Sequence, residues 1–64
     1  MLVKEFFKDF NSYLRWEISL YDVNNNKEIH TDNNKLDTID EDWLQAEIYD
    51  WTCDGESFNV NVVK

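Results

Sequence analysis

Apolar and polar positions change their period along this chain, and the changes divide it into predicted elements. Between residues 2 and 14 the apolar positions recur at spacings of three, four and seven, which is the period of one helix face. This pattern predicts an amphipathic helix over residues 2–12. The period then becomes two, as expected of a strand with one face on a core; its apolar members are Leu14, Trp16, Ile18 and Leu20.

The middle of the chain predicts a hairpin, a loop and a short helix. The asparagine-rich residues 24–27 are typical of a turn that includes a positive φ, and the residues that follow can return as a second strand. Residues 32–37 predict a loop. In "TIDE", Thr38 and Glu41 fit a capping box, in which Thr38 accepts a hydrogen bond from the backbone near Glu41. A short second helix through Leu44 or Gln45 is expected.

The last third of the chain predicts two more strands. Residues 46–53 form the third, a turn follows around Asp54 and Gly55, and the fourth directs Phe58, Val60 and Val62 inward. The order α-β-β-α-β-β predicts an α+β fold, in which the N-terminal helix packs on a four-stranded antiparallel sheet. Sixty-four residues make this one small domain, 1–64.

The third strand breaks the clean alternation of faces. Its two faces would be Glu47, Tyr49, Trp51 and Cys53 on one side and Ala46, Ile48, Asp50 and Thr52 on the other. Neither face is apolar throughout unless a bulge resets the register between Ile48 and Trp51. We expect some aromatic surface of this strand to stay outside.

Composition narrows the class of partner. With 42% hydrophobic and 16% aromatic residues, the chain has enough core material to fold, despite a net charge of -8. Phosphates of nucleic acid or of an anionic membrane need lysine and arginine to neutralise them. The charge therefore argues against direct nucleic-acid or membrane binding, and a charged partner should be basic.

No group of residues predicts catalysis, a cofactor or a metal site. Residues 22–33 resemble the start of a calcium loop, but Lys27 stands where glycine is needed and Asn33 where a bidentate glutamate is needed. A single histidine, His30, and a single cysteine, Cys53, are too few for a metal site or a nucleophile and base. One glycine excludes a phosphate-binding loop. The chain has no internal disulfide and no apolar run of membrane-spanning length, so we predict a non-enzymatic, cytoplasmic protein.

Negative charge is concentrated in the second half of the chain. Residues 1–36 contain six acidic and five basic side chains, whereas residues 37–64 contain eight acidic and one basic. Aromatic residues lie among these acids, and aromatic anchors inside an anionic rim suit a basic cleft on a partner. The predicted partner-binding residues are Asp40, Glu41, Asp42, Trp43, Glu47, Tyr49, Asp50, Trp51, Asp54 and Glu56.

The same residues also suit three roles that need no basic partner. The acids can simply keep a small protein soluble, and Asp40, Glu41 and Asp42 also favour the start of a helix. Trp43 can belong to the core, as can Trp16. Trp51 can complete a homodimer, because so small a sheet buries little apolar area and an edge strand can pair with a second copy.

Three segments resemble short proteins encoded by phages and mobile elements of low-GC Gram-positive bacteria: "VKEFFKDFN", "WEISLYDVNNNKEI" and "AEIYDWTCDGESFNVNVV". Proteins of this kind with a known role are often inhibitors of host defence, including anti-CRISPR and anti-restriction proteins. Several are small acidic DNA mimics, whose carboxylates replace phosphates in the target's nucleic-acid groove. The resemblance implies a CRISPR or restriction nuclease as partner. The alternative is a small homodimeric accessory module without a nucleic-acid-related target.

Overall fold

The computed structural model describes residues 1–8 and 16–64. Along the chain it contains helix α1 (Val3–Phe7), strands β1 (Glu17–Asp22) and β2 (Lys27–Asp32), a 3-10 turn (Leu36–Thr38), helix α2 (Glu41–Leu44), and strands β3 (Glu47–Asp54) and β4 (Ser57–Val63). The α+β class and the order of helices and strands along the chain are as predicted. All four strands belong to one sheet.

The predicted all-antiparallel sheet is wrong. The strand order is β2-β1-β4-β3, and the central pair β1 and β4 runs parallel, so the sheet is mixed. The two outer pairs are antiparallel hairpins. After β2 the chain crosses to the opposite edge of the sheet through the 3-10 turn and α2, and β4 then returns beside β1. Alternation along a strand is the same in both arrangements, which is why the pattern did not distinguish them.

Helix α1 begins where the amphipathic pattern begins. The backbone N–H of Leu2 donates to Oε1 of Glu5 at 2.9 Å, which is the acidic half of a capping box. Val3 and Phe7, four residues apart, are buried on the same helix face. Lys8 follows in a turn. The predicted helix over residues 2–12 is therefore too long, since α1 ends at Phe7 with Lys8 as its C-cap. Predicted positions 9–12 of the helix and 14 and 15 of the strand lie outside the described residues.

The capping box predicted at residues 38–41 is also wrong. Thr38 closes the 3-10 turn, and its hydroxyl donates to the carbonyl of Lys35 at 2.6 Å. Asp40 is the residue that precedes α2, and the helix ends at Leu44 as expected. The competing 3-10 turn is favoured because burial of Leu36 at its start anchors the loop on the core.

The core lies between the two helices and one face of the sheet, the inner face. The predicted inward residues Phe58, Val60 and Val62 are 8%, 1% and 0% exposed. The rings of Phe7 and Phe58 meet edge to face with centroids 5.9 Å apart, which joins α1 to β4. The full buried cluster is Val3, Phe7, Ile18, Leu20, Leu36, Trp43, Ala46, Phe58, Val60 and Val62.

The third strand contains the bulge that the sequence left open. Ile48 pairs with Val62 and Asp50 pairs with Asn61, so Tyr49 is an extra residue between them. This extra residue reverses the faces to which the later side chains of β3 point. Trp51 therefore joins Ile48 on the inner face, while Asp50 turns to the outer face.

Candidate partner-binding surface

The outer face of the sheet is polar from edge to edge. Asp32, at the end of β2, is buried and its carboxylate accepts hydrogen bonds from the backbone of the loop that follows. The described helices pack on the inner face, whereas the loop residues Lys35, Thr38 and Ile39 line a pocket with Glu17, Ser19 and His30 of the outer face. Strand alternation and the register place these other side chains on it: Glu17, Ser19, Tyr21, Glu28, His30, Glu47, Asp50, Thr52, Asp54, Ser57, Asn59, Asn61 and Val63.

Five exposed carboxylates stand on this outer face, and we call them the acidic face: Glu17, Glu28, Glu47, Asp50 and Asp54. No lysine or arginine occupies an outward position in the described strands. Lys27, the basic residue of β2, is the register partner of Asp22, and strand alternation places its side chain on the inner face. The one lysine side chain of the described strands thus lies with the buried Asp22 on the face opposite the five exposed carboxylates.

Two neutral side chains and the N-terminal ammonium orient three of these carboxylates. Asn61 donates from Nδ2 to Oδ1 of Asp50 at 2.6 Å, and the hydroxyl of Ser57 donates to Oε2 of Glu17 at 3.4 Å. The N-terminal ammonium of Met1 donates to Oε1 of Glu47 at 3.2 Å, an ion pair between two exposed groups. Since amide and hydroxyl partners add no positive charge, most of the negative charge of the acidic face stays unneutralised.

Four of the five carboxylates form two rows with polar side chains between them. Glu28 on β2 and Asp50 on β3 belong to one line across all four strands, about 14 Å apart at strand spacings of about 4.8 Å. Glu17 and Asp54 are two strands apart, about 10 Å.

The sequence prediction identified part of the acidic face and missed part of it. Glu47, Asp50 and Asp54 are brought together on the outer face, and Glu56 is exposed in the turn beyond them. Glu17 and Glu28 were missed. Alternation already placed Glu17 opposite the core, but only the strand order β2-β1-β4-β3 shows that β1 lies next to the strand pair with the other acids.

The three predicted acids before and in α2 lie apart from the acidic face. Asp40, Glu41 and Asp42 are all exposed, and Oε1 of Glu41 accepts a hydrogen bond from the side chain of Gln45 at 2.8 Å. Asp42 shares a shallow groove with Glu47, so this end of the helix adjoins the sheet face. The acids of the second half thus form one group on the sheet and one on α2, and the two groups adjoin at Asp42 and Glu47.

The predicted aromatic anchors occupy three different environments. Trp43 is only 6% exposed and belongs to the core, so its ring is not presented to a partner. Nζ of Lys64 lies 4.1 Å from the centre of that ring. Trp51 is 49% exposed but lies on the inner face, because the bulge reversed the alternation. Only Tyr49, 69% exposed at the bulge beside Asp50, combines exposure with a place next to the acidic face.

His30 has more polar partners than the sequence suggested. Its Nδ1 lies 2.9 Å from the hydroxyl of Ser19 on the neighbouring strand, and its Nε2 lies 3.1 Å from Oε1 of Glu28. The three side chains form a hydrogen-bonded chain on the open outer face. Cys53 is an exposed free thiol, and its Sγ lies 3.6 Å from the carbonyl of Gly55. Among the described residues no three acidic, histidine or cysteine side chains converge as metal ligands would.

The segment that resembles a calcium loop folds onto its own carboxylate. Asp22 is 1% exposed, and it accepts hydrogen bonds from the side chain of Asn25 at 2.7 Å and from the backbone N–H of Asn24 at 3.0 Å. These bonds, the Asn25 amide first, lower the pKa of Asp22 below its ordinary value. The carboxylate thus stabilises the hairpin loop.

Comparisons with family models, curated proteins and solved structures give no match. None of the helices in the described part of the chain has the length and apolar character needed to cross a membrane.

Proposed function

We propose that this chain is a non-enzymatic inhibitor that uses its acidic face to occupy a basic, nucleic-acid-binding surface on a partner protein. The observation that supports it is the segregation of charge: five exposed carboxylates on one face of the sheet, with no lysine or arginine among its described outward positions. Such a field steers a basic partner toward one side of the molecule. The face competes with nucleic acid for the partner's cations.

The resemblance to phage and mobile-element proteins supplies the class of target. We propose a host defence enzyme, a CRISPR or restriction nuclease, encountered in the bacterial cytoplasm. Carboxylates replace phosphates in its nucleic-acid groove, and Tyr49 adds aromatic contact beside Asp50. No cofactor takes part in this mechanism.

Capture of partners from bacterial lysate tests the proposal, with two matched charge variants. The sheet variant changes Glu47→Gln, Asp50→Asn and Asp54→Asn, and the helix variant changes Asp40→Asn, Glu41→Gln and Asp42→Asn. Both remove three negative charges from the surface, so a non-specific effect of net charge is equal in the two. We expect the original chain to retain a nucleic-acid-binding enzyme at low salt and to release it to duplex DNA.

The sheet variant should lose this capture, and the helix variant should keep most of it. Salt should weaken capture by the original chain more than residual capture by the sheet variant, because exposed charges are screened over about 10 Å at 0.1 M ionic strength. Equal inhibition of the captured enzyme by both variants and the original chain would show that the acidic face has no part in recognition.

The second candidate is a homodimeric accessory module, favoured by the half-exposed ring of Trp51 on the edge strand β3. It predicts a concentration-dependent dimer that Trp51→Ala dissociates, with the charge variants unaffected. Sedimentation of the purified chain over a range of concentrations distinguishes the two candidates.

A further inference from the structure

Among residues 1–8 and 16–64, no segment pairs with the outer edge of strand β3 over most of its length, and we call this the free edge. The strand is an outer strand of the sheet, paired with β4 on one side only. At its start the other side is covered, since the N–H of Ile48 donates to the carbonyl of Met1 at 2.9 Å and Leu2 bridges Glu47. From Tyr49 to Asp54, no described segment pairs with this edge.

The turn after β3 determines which backbone groups face outward. Gly55 has φ +64°, as the first central residue of a two-residue type II′ hairpin turn requires. In such a hairpin the flanking pair, Asp54 and Ser57, is hydrogen-bonded. By alternation, the N–H and C=O groups of Cys53 and Trp51 point away from β4. The free edge therefore offers two donor and acceptor pairs to a further strand.

Side chains flank this edge with opposite character on the two faces. Asp50 and Asp54 stand on the outer side, with Thr52 between them. On the inner side, the half-exposed ring of Trp51 meets the ring of Phe6 edge to face at 5.2 Å. A strand added here would place one set of alternate side chains near carboxylates and the other set near an aromatic surface.

We propose that the free edge of β3 accepts an extended segment of the partner, in which lysine or arginine alternates with apolar residues, as a fifth strand. The proposal rests on the acidic-face function and specifies how the partner is held. Main-chain hydrogen bonds to Trp51 and Cys53 bind the segment, its basic side chains reach Asp50 and Asp54, and its apolar side chains cover Trp51.

Charge complementarity favours a basic partner over a second copy of this chain. Antiparallel self-pairing centred on Thr52 would place Asp50 opposite Asp54 of the other copy in both halves of the interface. Registers shifted along the strand still leave these carboxylates opposite or diagonal to one another, within about 8 Å. Like charges directly opposite destabilise a strand pair, whereas lysine or arginine at the same positions stabilises it.

A peptide titration followed by amide NMR tests the proposal. The probe is a capped peptide of alternating lysine and valine, matched to the eight-residue length of β3. One control peptide has the same composition with its lysines and valines in separate blocks. A second control keeps the alternating sequence and carries N-methyl groups on every other amide, which blocks pairing through one edge of the extended peptide. A third carries the N-methyl groups on the remaining amides, which blocks pairing through the opposite edge. We expect the alternating peptide to shift the Trp51 and Cys53 amides and slow their hydrogen exchange.

One of the two N-methylated peptides should bind at least about tenfold more weakly, because it loses two main-chain hydrogen bonds. On the protein side, Cys53→Pro removes one edge donor at a position where an edge strand tolerates proline, and Cys53→Ser is its matched control. The proline variant should bind the alternating peptide more weakly than the serine variant. If the proline variant does not fold, the N-methylated peptides decide the question.

Equal affinity for the alternating, block and both N-methylated peptides would overturn strand addition. If that equal binding still falls in the sheet charge variant, the acidic face binds cations without an added strand, and the proposed function is retained. If the alternating peptide pairs at the edge but the sheet charge variant captures the lysate partner normally, the proposed function fails instead. The proposal would also be overturned if the chain alone sedimented as a dimer and the alternating peptide did not dissociate it. The edge would then belong to a second copy of the chain.

Discussion

A disulfide across the outer face would test the parallel pairing of β1 and β4, on which the shape of the acidic face depends. Ser19 and Asn59 are register partners in neighbouring strands. Their Cα atoms are expected about 4.8 Å apart, inside the range of about 4.4–6.8 Å that disulfides require. We predict that Ser19→Cys with Asn59→Cys, in a Cys53→Ser background, forms the bond without rearrangement of the sheet.

The size of the effect follows from the loop that the bond closes. Closing a loop of about 40 residues lowers the entropy of the unfolded chain, which stabilises the folded state by about 4 kcal/mol. Strain of the bond in the folded protein reduces the expected gain in unfolding free energy to about 2–4 kcal/mol. For a domain of this size, about 2 kcal/mol raises the melting temperature by about 8 °C or more. The side chains lost are an exposed amide and a half-buried hydroxyl, so the substitutions themselves should cost little.

Mass spectrometry without reductant and thermal melts with and without reductant measure this prediction. Glu17→Cys with Ser57→Cys is a second pair with the same sequence separation, and only a parallel register allows both bonds. Ser19→Cys with Thr52→Cys is the negative control, because β4 lies between them and their separation is about 9.6 Å. Failure of both parallel pairs to oxidise, or oxidised proteins no more stable than reduced ones, would refute the parallel pairing.

Three further substitutions test the environments of particular residues. Trp43→Ala should cost about 3–5 kcal/mol of unfolding free energy in urea denaturation because the ring is buried, whereas Tyr49→Ala should change it by about 0.5 kcal/mol or less; equal effects would contradict the difference in burial. Asp22→Asn should destabilise the protein at neutral pH. Because the pKa of Asp22 is lowered in the folded state, the difference in unfolding free energy between this variant and the original chain should shrink as pH falls below about 4. A difference that does not depend on pH would exclude the hydrogen bond from Asn25 as its cause. Gly55→Ala should cost about 1–2 kcal/mol, since its φ of +64° is strained for a residue with a Cβ, and an unchanged melting curve would contradict that turn geometry.

The first hairpin and β4 could be predicted from the sequence because each depends on local alternation. Ile18 and Leu20, predicted to face inward, are 1% and 0% exposed, and the turn places Asn26 at φ 52°. The broken alternation between Ile48 and Trp51 suggested a bulge as one arrangement, and the pairing of β3 with β4 established it. Its exact position, and thus the side of Asp50, required the pairing with Asn61.

The candidate site was only partly predictable, because it depends on contacts between distant segments. The local density of acids identified Glu47, Asp50 and Asp54, but it also suggested that Trp43 and Trp51 were anchors among them. Burial removes Trp43 from the surface, and the bulge moves Trp51 to the other face. Neither event changes the local sequence pattern.

The sequence by itself determined the class of fold, the extent of most strands and the excess of negative charge, because periodicity and composition are properties of neighbouring residues. Tertiary structure alone decided the parallel pairing of β1 with β4, and with it the placement of Glu17 and Glu28 on the acidic face. The physical reason is that a strand exposes the same alternation of side chains to either neighbour. Whether β1 pairs with β4 or with β3 depends on the path of the chain after β2, where the 3-10 turn and helix α2 cross the inner face of the sheet.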